Sequence, residues 1–203
     1  MIIGLTGMSG AGKSTVSKIL GENGYTVIDC DTVARAVITR SPCIDEVREK
    51  FPEVFTEGEF DRNKARKLLF ADWNKIQAYQ RIVFPYVTYE LLRQIKLSTV
   101  NCQLSTVLDA PTLYQSKVDD FCVQIIAVIA SRERCIERII DRDKISREDA
   151  VARLENQHSE NFFREHANLL IENNGDIADL EKGVLKCQSK LNKIIKLQQK
   201  QNR

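Results

Sequence analysis

Ile2-Ile-Gly-Leu-Thr6-Gly7-Met-Ser-Gly10-Ala-Gly12-Lys13-Ser14 decides the fold class of this 203-residue chain. An apolar, β-branched run ends in a glycine-rich turn, and the turn opens onto residues 15–20, which read as the start of a helix. The spacing G-x-x-x-x-G-K-S is complete. Glycines let the backbone turn tightly enough to aim successive N–H groups at one anion, and the helix behind them adds the positive end of its dipole. Lys13 would reach the β and γ phosphates of a nucleoside triphosphate, and the Ser14 hydroxyl suits Mg²⁺. Gly7, Gly10, Ala11, Gly12, Lys13, Ser14 and Thr15 are therefore the expected phosphate-binding residues for ATP.

Working outward, four further apolar runs follow, at residues 26–29, 105–109, 124–130 and 167–172. Together with residues 2–6 they alternate with helix-like stretches. That alternation predicts an α/β fold of the P-loop type: a five-stranded parallel sheet with helices on both faces, because strands buried on both sides read as continuous apolar runs. Ligands in such sheets sit at the carboxyl ends of the strands.

Roughly 75 residues between the second and third runs look helical, far more than a crossover needs. They include residues 62–71 and an amphipathic stretch, 74–97, interrupted by Pro85. A helical lobe beside the sheet edge is expected. Two more helices are expected at 131–141 and 146–165, the second opened by Ser146-Arg-Glu-Asp149, in which aspartate stands where a capping box usually has glutamate. The expected organisation is one domain: a core of residues 1–31, 105–130 and 167–203, a helical substrate-binding insertion of about 32–104, and a helical lid of about 131–166.

Composition sets the class. Apolar residues make up 43% and charged residues 29%, values of an ordinary globular protein. The start carries no basic n-region followed by a signal-type apolar stretch. The longest apolar run elsewhere, residues 125–130, is too short to span a bilayer, so a cytoplasmic protein without a membrane anchor is expected. Six cysteines (Cys30, Cys43, Cys102, Cys122, Cys135, Cys187) lack any CxxC pair and fit reduced packing residues. Seven basic and no acidic residues lie between Lys182 and Arg203, which leaves the preceding stretch at a net −5. Ile177, Leu180, Val184, Leu191, Ile194 and Ile195 recur there at helical spacing. A docked helix with a solvated lysine face is favoured over a nucleic-acid contact.

Residues elsewhere separate a kinase from a GTP switch. None of the Asn-Lys pairs, at 63–64, 74–75 and 192–193, completes a guanine-reading NKxD after a strand. Val27-Ile28-Asp29-Cys30-Asp31 closes the second run with carboxylates at i and i+2, on one side if the strand persists to Asp31. A carboxylate there could orient an acceptor hydroxyl and take its proton. Asp31 is the expected base, with Asp29 either supporting it or capping the following helix. Asp109 ends the third run, either as a carboxylate steadying Mg²⁺ or as a loop cap. Arg134, Arg138 and Arg142 form a stripe at i, i+4 and i+8, next to Glu133, Glu137 and Asp141. The stripe reads either as a solvated face, with pairs such as Arg138–Asp141, or as a lid that brings arginines to the transferred phosphoryl group.

Taken in order, these segments resemble the dephospho-coenzyme A kinase family through most of the chain. The opening block, Val27-Ile28-Asp29-Cys30-Asp31 with Ala34-Arg35, Phe60-Asp61-Arg62, Asp109-Ala-Pro111, Arg138 to Asp143 with Arg153 and Gln157, and Asn173-Asn174-Gly175 carry the resemblance. It implies ATP phosphates at residues 10–15, Asp31 on the acceptor hydroxyl, Arg138 or Arg142 on phosphoryl oxygens, and Asn174 in a loop near adenine. It also implies that the insertion holds the coenzyme arm. The implied reaction is transfer from ATP·Mg²⁺ to the ribose 3′-hydroxyl of dephospho-coenzyme A, the last step of coenzyme A biosynthesis. Phe84-Pro85 stands where the family usually has His-Pro, Tyr114-Gln115 where it has Phe-Glu, and Met8-Ser9 where it has Gly-Ile. These departures bear on acceptor binding. Other readings are a P-loop kinase for a nucleoside, nucleotide or sugar acid, and a nucleotide-binding regulator whose basic tail contacts nucleic acid.

Overall fold

The computed structural model describes residues 1–70, 72–101 and 105–201. Along the chain, β1 (Ile2–Gly7) leads through the glycine-rich turn into α1 (Lys13–Glu22), followed by β2 (Thr26–Asp29), α2 (Cys30–Ile38) and α3 (Cys43–Lys50). A short hairpin of β3 (Phe55–Thr56) and β4 (Glu59–Phe60) precedes α4 (Arg62–Phe70) and α5 (Trp73–Asn101). Then come β5 (Thr106–Asp109), β6 (Gln124–Ile129), α6 (Arg132–Asp143), α7 (Arg147–Glu155), α8 (Glu160–His166), β7 (Leu169–Glu172) and α9 (Ile177–Gln201).

The five expected strands form one sheet in the order β2-β5-β1-β6-β7. β1 pairs in parallel with β5 on one side and β6 on the other, and β7 pairs in parallel with β6. Leaving β1 the chain crosses to one side of the sheet, and leaving β6 it crosses to the other. The crevice at their carboxyl ends is the kind of position where open α/β sheets bind ligands. Ile3, Leu5, Val107, Ile126, Val128 and Ile171 are buried in the layers around these strands. Each such side chain contributes about 1.5–3 kcal/mol by leaving water.

The chain divides into two compact units, one of residues 1–28 and 101–203, the other of residues 29–100. In the second unit the sequence reading expected helix only. The structure adds the β3–β4 hairpin, turned by Glu57 and Gly58, both at positive φ (52° and 85°). Its single two-residue pairing leaves no alternating run long enough to see in sequence. Phe55 and Phe60 meet edge to face at 5.7 Å, with the Arg48 guanidinium over Phe55. Pro85 does not interrupt the long helix either: α5 runs through it. The lost N–H bond and the ring clash cost about 3 kcal/mol. Burial of Val83, Leu91 and Ile95 along the same helix offsets that cost.

In the first unit the expected helix at 146–165 is two. Ser146 caps α7 by accepting the Asp149 N–H at 3.0 Å, as its pattern predicts, but Ser159 caps a new helix, α8, by accepting the Phe162 N–H at 3.2 Å. α9 docks against β7 and α1 through Leu180, Val184 and Leu191, whereas Ile177 is exposed. No described helix is long and apolar enough to cross a membrane. The five described cysteines are free, and burial pushes the thiols of Cys135 and Cys187 up to about 11. Cys102 lies outside the described residues.

Candidate active site

The turn between β1 and α1 is held from three sides. Met8 donates its N–H to the Val128 carbonyl of β6 at 3.1 Å, and the Ala11 N–H closes back on the Met8 carbonyl at 3.0 Å. Gly10 and Gly12 have φ of 78° and 96°, conformations that side chains disfavour. A Cβ on Gly10 would lie 2.5 Å from the Cys135 carbonyl, and one on Gly12 would lie 2.5 Å from Asn173 Nδ2. Gly12 is also the N-cap of α1 and offers no side-chain cap. Among the described residues the N–H groups of Gly10, Gly12, Lys13 and Ser14 meet no protein acceptor, so they remain available to an anion.

Lys13 and Asp109 form an ion pair, with 20% and 11% of their side chains exposed. Parallel pairing of β1 with β5 sets Leu5 opposite Asp109, which brings the lysine after β1 to the carboxylate that ends β5. Ser14 is exposed and Thr15 half-buried. Among the described residues no group of three His, Cys, Asp or Glu could cage a metal. The donors present, one hydroxyl and one carboxylate, do fit Mg²⁺, which takes few protein ligands and completes its octahedron with water and phosphate oxygens.

Of the expected arginines the structure brings Arg138 to the loop and leaves Arg142 away from it. The Arg138 guanidinium donates to the Asn173 carbonyl at 3.1 Å and to the Gly10 carbonyl at 3.4 Å. The Arg138–Asp141 pairing expected from spacing is replaced, since Asp141 takes Lys144 at 2.9 Å. Arg142 makes a bidentate pair with Asp143 at 2.8 Å on both contacts, and Arg153 joins the same carboxylate. Arg142 foremost, with Arg153, holds the Asp143 carboxyl at about 2.

Asn174, expected near a nucleotide base, is exposed, and its side chain accepts the Ser131 N–H at 2.7 Å. Its neighbour Asn173 is the residue that reaches the loop, donating to the Ala11 carbonyl at 2.8 Å. Successive residues point to opposite sides at the end of a strand, so sequence could place the pair but not choose between them. In the sequence Gln157 stands out only as part of the lid pattern. It sits in the break between α7 and α8, and its side-chain oxygen accepts the Ser9 N–H at 3.0 Å. A groove of about 310 Å³ runs from Gly12 and Thr15 past Arg138 and Asn173 to Ile177 and Leu180.

The carboxylates after β2 correct the sequence reading. The strand stops at Asp29, and α2 begins at Cys30. Asp29 is the N-cap of α2, accepting both the N–H and the hydroxyl of Thr32 at 2.9 Å. Burial pushes its carboxyl up, but these Thr32 bonds, with Arg35 nearby, outweigh burial and leave it below the usual range. Asp31 therefore does not share a strand face with Asp29. It is an exposed first-turn residue of the helix. Of the residues that depart from the family pattern, Phe84 is 39% exposed. Tyr114 packs edge-on to Phe162 at 5.1 Å, where burial pushes its hydroxyl up to about 12.

A parallel sheet in this order, with a glycine nest, a lysine and a helix dipole converging after its first strand, defines a P-loop kinase fold. The family model for dephospho-CoA kinase matches residues 1–179, and the chain belongs to that family. It is 36% identical over 188 residues to a dephospho-CoA kinase of Fusobacterium nucleatum, covering 91% of this chain and 95% of that one. It is 34% identical to one of Arabidopsis thaliana, covering 88% and 78%. A solved protein from Thermus thermophilus superimposes with a TM-score of 0.83 at 31% identity, over 94% of this chain and 97% of that one. The dephospho-CoA kinase of Campylobacter jejuni has a TM-score of 0.61 at 21% identity, over 93% and 96%, and shares the fold.

Proposed function

We propose that this chain transfers the γ-phosphoryl group of ATP to the ribose 3′-hydroxyl of dephospho-coenzyme A, giving coenzyme A and ADP. Membership of the dephospho-CoA kinase family over residues 1–179, with the phosphate cradle inside the matched span, carries the reading.

In this mechanism the free N–H groups from Gly10 to Ser14 bind phosphate oxygens, and Lys13 exchanges Asp109 for the β and γ phosphates. Ser14 and Asp109 would hold Mg²⁺, which neutralises charge shared between those phosphates. Arg138 faces the loop already and would stabilise the phosphoryl group in flight, with Arg142 a second donor from the same helix. The groove from Gly12 to Leu180 would take the nucleoside, with Asn174 at its margin. Asp31 would orient the acceptor hydroxyl and accept its proton, a role that rests on the sequence pattern around it. The helical insertion of about 32–104 would bind the acceptor, residues of about 131–166 would act as the lid, and the protein would work in the cytoplasm with its thiols reduced. Most of the rate would come from positioning and charge neutralisation, with no covalent enzyme intermediate.

Purified protein incubated with ATP, Mg²⁺ and a panel of alcohol acceptors, with products identified by mass, tests the reading. A product one phosphate heavier than dephospho-coenzyme A is expected. Transfer to a nucleoside, nucleotide or sugar acid with none to dephospho-coenzyme A would replace it.

A further inference from the structure

Asn173 is buried, with 6% of its surface exposed, and all its polar groups are engaged. Its N–H continues the β6–β7 ladder to the Ile129 carbonyl at 2.8 Å, and its own carbonyl accepts Arg138 at 3.1 Å. The side-chain oxygen faces the same guanidinium at 3.5 Å, and Nδ2 donates to the Ala11 carbonyl at 2.8 Å. We propose that Asn173 is a positioning residue for the triphosphate, aiming the Gly12 N–H into the phosphate nest through the Ala11–Gly12 peptide while keeping Arg138 against the loop.

The argument is geometric. A peptide unit is planar and trans, so its carbonyl and the following N–H point in opposite directions. Once Asn173 holds the Ala11 carbonyl, the Gly12 N–H must face away from Asn173, and among the described residues it has no protein acceptor. Gly12 at φ 96° could otherwise turn this peptide over at little steric cost, setting a carbonyl oxygen where a phosphate oxygen belongs. The Ala11 N–H is already tied to Met8, so the Asn173 bond is the second of two restraints on that residue. One side chain at the end of β7 thus aligns a donor of the cradle and the arginine of α6 together.

The proposal rests on the reading of the loop as a triphosphate site, and its test separates the two. Inorganic tripolyphosphate and adenosine are titrated separately into wild type, Asn173→Asp and Asn173→Ala. Asn173→Asp keeps size and the acceptor for Arg138 but turns the donor into an oxygen that repels the Ala11 carbonyl. Tripolyphosphate affinity is expected to fall about tenfold or more in Asn173→Asp and less in Asn173→Ala, and by a clearly larger factor than the affinity for adenosine, whose groove Asn173 also lines, because a misaimed Gly12 N–H loses a bond to an ionised group. Equal losses for both ligands would mean a merely structural role and overturn the proposal, as would unchanged tripolyphosphate affinity. If neither variant folds, the wild type decides through its own amide signals. The Gly12 amide must shift on tripolyphosphate addition, and an unmoved signal refutes the assignment. A wild type that binds tripolyphosphate yet phosphorylates no dephospho-coenzyme A would retire the proposed function and leave this positioning role standing.

Discussion

Gln157 and Ser9 are joined by a hydrogen bond of 3.0 Å across 148 residues of sequence, from a backbone N–H of the glycine-rich loop to a side-chain oxygen in the break between α7 and α8. Through it, the helical segment after α6 touches the glycine-rich loop between β1 and α1. Asn173 grips Ala11 on the same loop, so both flanks of Gly10 are restrained from distant elements.

Gln157→Leu should leave the Ser9 N–H without its acceptor. A loss of about 1 kcal/mol is expected, seen as a melting point about 2–4 °C lower, with KM for ATP raised several-fold and KM for the acceptor unchanged. Gln157→Glu should restore the bond but place a negative charge next to the nest, and so raise KM for ATP further at low salt. Steady-state kinetics at two ionic strengths checks both variants.

Lys13→Ala should lose about 10²–10³-fold in kcat together with phosphate affinity, because it removes a charged donor from the developing transition state. Asp31→Asn should behave differently, keeping ATP affinity by calorimetry while kcat drops about 10²–10⁴-fold, the range attributed to a lost general base. Turnover at the wild-type rate in Asp31→Asn would remove that residue from the mechanism.

Asp143 titrates at about 2 because of Arg142 and Arg153, below the ~3.9 of an unfolded chain. A carboxyl lowered on folding adds stability above its unfolded value and loses it as pH falls through its folded value. The melting temperature of wild type should therefore exceed that of Asp143→Asn most clearly near neutrality, and the gap should close between pH ~4 and about 2. Thermal melts of both proteins over that window read it directly.

Ser159→Ala and Ser146→Ala each remove a helix cap seen in the structure. Each should cost about 1 kcal/mol of stability. Only the change at Ser159, two residues from Gln157, should also raise KM for ATP. Paired melting and kinetic measurements would reveal whether the start of α8 matters to the loop.

Much of this protein could be read from local pattern. The five apolar runs are short-range signals and each became a strand, and the glycine-rich turn after the first of them leads from β1 into α1 as its pattern predicts. Failures occurred where a signal was short or ambiguous. The hairpin at Phe55–Phe60 has two residues per strand, and the Ser159 cap lies inside a stretch whose helical spacing continues across the break. Asp29 shows the third kind, since Asp at that position suits either a strand tip or a helix cap, and the Thr32 N–H settles it as a cap.

Sequence by itself determined the fold class, the glycine-rich turn and the family, because those depend on residue types at fixed spacings along one strand, one turn and one helix. Tertiary structure alone decided that Asp109 pairs with Lys13, that Arg138 rather than Arg142 faces the loop, and that Asn173 rather than Asn174 reaches Ala11. Each of those choices joins segments far apart in the chain. Parallel pairing of β5, β1, β6 and β7 brings them together, and which side of each element faces inward depends on what is packed against it.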